Sequence, residues 1–67
     1  MPINGPALKA ARERLGLTQE QVAHAVGYRH RESLARIEDG TRKRVDTSIV
    51  ARLAAVLKVR ESEIRTD

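Results

Sequence analysis

The side chains best suited to chemistry in this sequence are cations. Arg29, Arg31, Arg36, Arg42, Lys43 and Arg44 fall within residues 29 to 44, alongside only Glu32, Glu38 and Asp39. Six positive charges less three negative ones leave that segment at +3, out of a net +4 for the 67-residue chain. Ten of the 13 basic residues are Arg, whose planar fork suits phosphate oxygens and the guanine edge. Such a surplus is chemistry for holding an anion, a nucleic acid or an acidic membrane surface, rather than for breaking bonds. The catalytic and metal-binding types are thin. Ser33, Ser48 and Ser62 lack the His and carboxylate neighbourhood that would activate a hydroxyl. His24 and His30 stand without a carboxylate cluster, and Cys is absent, so no metal site or disulfide framework is expected. A chain this short cannot enclose a pocket of several hundred Å³. No enzyme activity, metal or cofactor is therefore expected.

The elements that must position these cations read as helices. Of 27 apolar residues 9 are Ala, Tyr28 is the sole aromatic, and Phe and Trp are absent. A core of that kind is aliphatic and thin, and it suits one domain of closely packed helices spanning residues 1–67. Asn4 or Gly5 can cap a first turn that begins at Pro6. Leu8, Ala11 and Leu15 follow at helical spacing, and Gly16 ends the run, giving a first helix at about 6–15. Thr18 and Gln21 form a capping box for a second helix, about 19–26, which Gly27 stops. Leu34 and Ile37 mark the buried face of a third, about 31–38, closed by Gly40. Asp46 caps a fourth, about 47–57, with Val50, Leu53, Ala54 and Leu57 inward. Val59 and Ile64 suggest a fifth at about 61–65. No stretch alternates with period two, so the expected class is all-α, a compact bundle of five short helices. The longest apolar run, Leu53 to Leu57, is too short to span a membrane. No basic and apolar leader pattern opens the chain. A cytoplasmic protein is expected.

The second and third helices, joined by a tight turn at Gly27, form a helix-turn-helix pattern. The blocks Gly16-Leu17-Thr18-Gln19-Glu20-Gln21-Val22-Ala23, Gly27, and Leu34-Ala35-Arg36-Ile37-Glu38-Asp39-Gly40 resemble the lambda-repressor/Cro type of helix-turn-helix, the XRE family. The run Leu53-Ala54-Ala55-Val56-Leu57-Lys58-Val59 is similar to that family's fourth helix. The resemblance covers about residues 4 to 64, and its specificity lies in the combination of blocks. It implies sequence-specific binding of duplex DNA, as a homodimer, by a transcription regulator. One departure matters. Gly27 to Gly40 spans one step more than the common pattern, which lengthens the turn around Tyr28 to His30. Counting back from Ile37 and Glu38, the family's base-reading positions fall on Arg31, Glu32 and Arg36. The resemblance also puts Gln19 on the DNA backbone, and pairs Arg12 of the first helix with Glu38 in a partly buried structural ion pair. A direct phosphate contact by Arg12 is the rival reading.

Elementary geometry is consistent with those positions. Residues 32 and 36 share a face by i, i+4 spacing, with 31 adjacent, while Leu34 and Ile37 point the other way. Arg can fork onto O6 and N7 of guanine and Glu can accept from N4 of cytosine, so a G/C-containing half-site is expected. The plainer reading is a solvated face with an exposed Glu32–Arg36 pair. Arg42, Lys43 and Arg44 follow the reading helix and are expected on phosphates, contacts that position rather than specify. His30 is expected on phosphate or in solvent. Tyr28 is expected to pack at the turn with its hydroxyl near a phosphate, and His24 to be solvated. Val56, Val59 and Ile64 form a candidate dimer patch, or else close the protomer's own core. The runner-up function is a protein-interaction module or antitoxin whose main partner is another protein. No small-molecule effector is expected.

Overall fold

The first helix starts where an Asn side chain can replace the missing backbone acceptor. In the computed structural model, which describes residues 1–66, Asn4 Oδ1 accepts from Ala7 N (3.1 Å) and α1 runs Gly5–Arg14. Its end is a Schellman turn: Gly16 N donates to Glu13 O and Leu17 N to Arg12 O, which satisfies two terminal carbonyls. In α2, Gln19–Ala25, Thr18 Oγ1 accepts from Gln21 N (3.0 Å) and Gln21 Oε1 accepts from Thr18 N (2.8 Å). The same C-terminal motif recurs at Gly27, φ +97°, a backbone conformation that disfavours a Cβ. Next come α3, Arg31–Glu38, α4, Thr47–Leu57, and α5, Glu61–Ile64. The bundle is all-helical, as expected. α1 starts and ends one residue earlier than the spacing suggests, and α2 and α5 stop one residue sooner.

The core is one aliphatic cluster drawn from every helix, including Leu8, Val22, Leu34, Ile37, Val50, Leu53, Leu57 and Ile64, all fully buried. α3 packs on both α1 and α2, α4 packs on α2 and α5, and α5 returns to α1. The α1–α3 approach is close enough to exclude any side chain at Gly5. A Cβ there would collide with the carbonyl oxygens of Ile37 and Glu38, the latter at 2.7 Å.

Two features escape helical periodicity. Residues 1–4 form an extended strap. Ile3 N donates to Lys43 O (3.0 Å), Val45 N to Met1 O (3.0 Å), and Asn4 N to Ile64 O (2.8 Å). Isolated antiparallel bridges join Pro2 to Arg44 and Ile3 to Arg65, and the Ile3 and Val45 side chains are buried. The second feature is the end of α4, where Lys58 adopts φ +58° and Val59 N donates to Ala54 O (3.0 Å). A lysine thus holds a left-handed position that glycine fills most easily.

Candidate nucleic-acid interface

α3 has two chemically opposite faces. Leu34 and Ile37 are fully buried, while Arg31, Glu32 and Arg36 are exposed. His30 caps the helix with extended backbone but makes no side-chain cap bond, and its imidazole is exposed. Arg31 Nε lies 3.8 Å from Glu32 Oε2, with both side chains more than 60% exposed (66% and 62%). A pair this open contributes about 0–1 kcal/mol, so it leaves both groups free to exchange partners. The exposed contact on α3 is thus between neighbours 31 and 32, not the Glu32–Arg36 pair of the plainer sequence reading.

The basic loop that follows is tied down along its backbone. Arg42 N donates to Arg36 O (2.9 Å), turning the chain back onto α3. Asp39 Oδ1 accepts from Thr41 N (2.8 Å). Hydrogen bonding from Thr41, with the nearby Arg36 charge, holds the Asp39 carboxyl below the usual carboxylate range. Arg42 Nε donates to Arg44 O (3.2 Å), and the strap grips Lys43 and Val45 from the other side. Arg42, Lys43 and Arg44 are all exposed. Their side chains therefore project from an ordered backbone.

Behind α3 lies a compact polar knot. Arg12 Nε is 2.6 Å from Glu38 Oε2 and Arg12 Nη2 is 3.0 Å from Glu38 Oε1, with side-chain exposures of 11% and 3%. Arg12 Nη1 donates to Leu17 O (2.8 Å), and Gln19 Nε2 donates to Glu38 Oε1 (3.0 Å). The Glu38 carboxylate, by hydrogen bond and by charge, raises the Arg12 guanidinium above its ordinary value despite its burial. The knot joins α1, the start of α2 and the end of α3. Three Arg12 N–H groups are committed to it, which favours the structural role over the rival phosphate contact. Gln19 is half-buried, with one amide hydrogen spent on Glu38. It also shares an open recess of about 470 Å³ with Arg31, Thr18 and Glu20, so the starts of α2 and α3 meet there.

Two expectations are corrected. Ile64 has no exposed surface, because it closes the protomer's own core beneath the strap, and it cannot serve a dimer patch. Val56 and Val59 are half-buried against the same core. Tyr28 does pack against the core at the turn, but its hydroxyl is buried without a hydrogen-bond partner. It points inward, away from any phosphate. His24 is exposed. Helical periodicity carries no signal for the strap or for the Gln19–Glu38 bond, beyond the apolar type of Ile3.

Residues 5–66 match the family of helix-turn-helix domains. The chain belongs to that family. Its type is the lambda-repressor/Cro, or XRE-like, helix-turn-helix, with α2 and α3 as the motif's pair. The fold is similar to the crystal structure of the restriction-modification controller protein C.AhdI from Aeromonas hydrophila, at a TM-score of 0.78 and 30% identity. The alignment covers 88% of this chain and 86% of that one. No curated protein matches the sequence. Family and structural match mark this helix-turn-helix protein as a DNA-binding transcription regulator. Among the described residues no helix is long and apolar enough to cross a membrane, and no group of three His, Cys, Asp or Glu side chains is placed to hold a metal.

Proposed function

We propose that this helix-turn-helix protein binds a near-palindromic duplex operator as a homodimer, with α3 in the major groove of each half-site, and so controls transcription in the cytoplasm. The observation that carries this reading is the division of α3. One face is locked by Leu34, Ile37 and the Glu38 knot, and the other offers Arg31, Glu32 and Arg36 unburied. A rigid helix with a free polar face suits base reading, because contact specificity requires fixed geometry. Arg31 and Arg36 fork onto guanine, and Glu32 accepts from cytosine, each contact discriminating by ~1–3 kcal/mol. Gln19, His30, Arg42, Lys43 and Arg44 hold phosphates and set the register. Regulation follows from occupancy and protein concentration, with no small ligand. The restriction-modification control named for C.AhdI is the class of regulation assigned here.

A single module of this size buries only about 600–1,000 Å² on DNA, which favours two copies on one site. Val56, near the C-terminal end of α4, and Val59, just beyond it, remain as the apolar contribution to that contact. A two-fold dimer places the reading helices roughly 34–36 Å apart, one turn of the duplex.

The test is Arg36→Ala measured against every single-base variant of the bound site. The expected result is relaxed discrimination at one position per half-site, with the other positions unchanged. An equal loss on all sequences would make Arg36 a phosphate contact and would remove it from the reading set.

A further inference from the structure

The turn between α2, which ends at Ala25, and α3, which starts at Arg31, is held at both ends. Gly27 N donates to His24 O (3.1 Å) and Tyr28 N to Ala23 O (2.9 Å), which closes α2. From α4, Arg52 Nη1 donates to Val26 O (3.2 Å), and a Cβ on Gly27 would lie 3.2 Å from that same nitrogen. A cation at a helix C-terminus is favoured by the helix dipole as well as by the hydrogen bond. Tyr28 then packs half-buried against the core. Downstream, Ser33 N donates to His30 O (3.2 Å) as α3 begins. What is left between these anchors is a tip of Arg29 and His30, both exposed. Among the described residues Arg29 has no carboxylate partner: the ion pairs are Arg12–Glu38 and Arg31–Glu32.

We propose that Arg29 is a duplex-phosphate contact supplied by this turn, and that Arg52 is the positioning residue that holds the tip from α4. The inference rests on the DNA reading above. A helix that touches base edges with its first residues must be entered from the rim of the groove. The chain just ahead of Arg31 therefore passes the phosphates. Arg29 lies two residues away, a reach of at most ~7 Å of backbone. Its charge is not neutralised within the protein, and a fixed tip lowers the ordering cost of the contact.

The experiment compares the intact protein, Arg29→Ala, Arg29→Lys, Arg52→Ala and the double variant R29A/R52A. Each is titrated with the selected operator and with a scrambled duplex over a series of salt concentrations, below its melting temperature. Arg29→Ala is expected to weaken both duplexes by the same factor. It should also flatten the slope of log K against log salt by about 0.9 per protomer. Arg29→Lys keeps the slope. Arg52→Ala gives part of the same flattening, and the double variant loses no more slope than Arg29→Ala alone. An unchanged slope in Arg29→Ala, or a loss confined to the operator, overturns the proposal. A further full decrement in the double variant makes Arg52 a phosphate contact and overturns its positioning role. Absence of duplex binding by the unmodified protein at low salt would instead sink the DNA reading itself.

Discussion

Glu38 is the one charged side chain buried among the described residues, and every bond it makes is to a group on another helix. Arg12 grips both carboxylate oxygens, and Gln19 adds a third donor. Burying two charges is costly, and keeping only one of them is costlier still, by about 3–5 kcal/mol. A domain of this size has little more than that in total. Arg12→Ala is therefore predicted to lower the thermal midpoint by roughly 12 °C or more; a fall of less than about 4 °C would show that the knot carries no stability. The exposed base-reading candidates were legible in the sequence, because Arg31, Glu32 and Arg36 alternate with Leu34 and Ile37 on a short helix. The Gln19–Glu38 bond was not, because it depends on how closely the start of α2 docks on the end of α3. The inward turn of the Tyr28 hydroxyl was equally hidden. Periodicity tells which residue is near the core, and only packing tells where its polar tip goes.

At the scale of elements, both ends of α1 and α2 and the end of α3 follow from local chemistry, while His30 and Asp46 sit at the N-cap positions of α3 and α4 without a side-chain cap bond. Asn4, Thr18, Gly16, Gly27 and Gly40 are side-chain caps or left-handed stops, and each acts at the end it marks. α4 breaks the rule, since its left-handed terminal residue is Lys58. A lysine there bears a steric cost of roughly 1–2 kcal/mol, part of which glycine would return as unfolded-state entropy. Lys58→Gly is predicted to stabilise the protein by up to ~1 kcal/mol in urea unfolding, with DNA affinity unchanged. A destabilised Lys58→Gly would mean that the lysine's own contacts outweigh its strain. The strap of residues 1–4 had no local signature. Its partners sit at 43–45 and 64–65, and pairing across that distance is set by the finished bundle. The strap also accounts for the error at Ile64. Val56, Val59 and Ile64 exceed what a helical core alone needs, but the strap lays Ile3 on that core, together with Val45 of the loop before α4, and its Asn4 N donates to Ile64 O.

For the whole molecule, the surplus of four positive charges is placed with purpose. Three of the four units belong to residues 29–44, on the turn before α3, on that helix's open face and on a loop whose backbone is pinned by both α3 and the strap. Gly5 lets α1 press against the end of that helix, and the Arg12–Glu38–Gln19 knot fixes it to α2. The bundle presents one helix with an exposed polar face, and the proposed homodimer supplies the second. The most direct test is selection of bound duplexes from a random pool. Enrichment of a near-palindrome with G/C pairs in each half and half-sites roughly 34–36 Å apart is expected. Recovery of unenriched sequence, or no retention of duplex at low salt, would contradict sequence-specific operator binding.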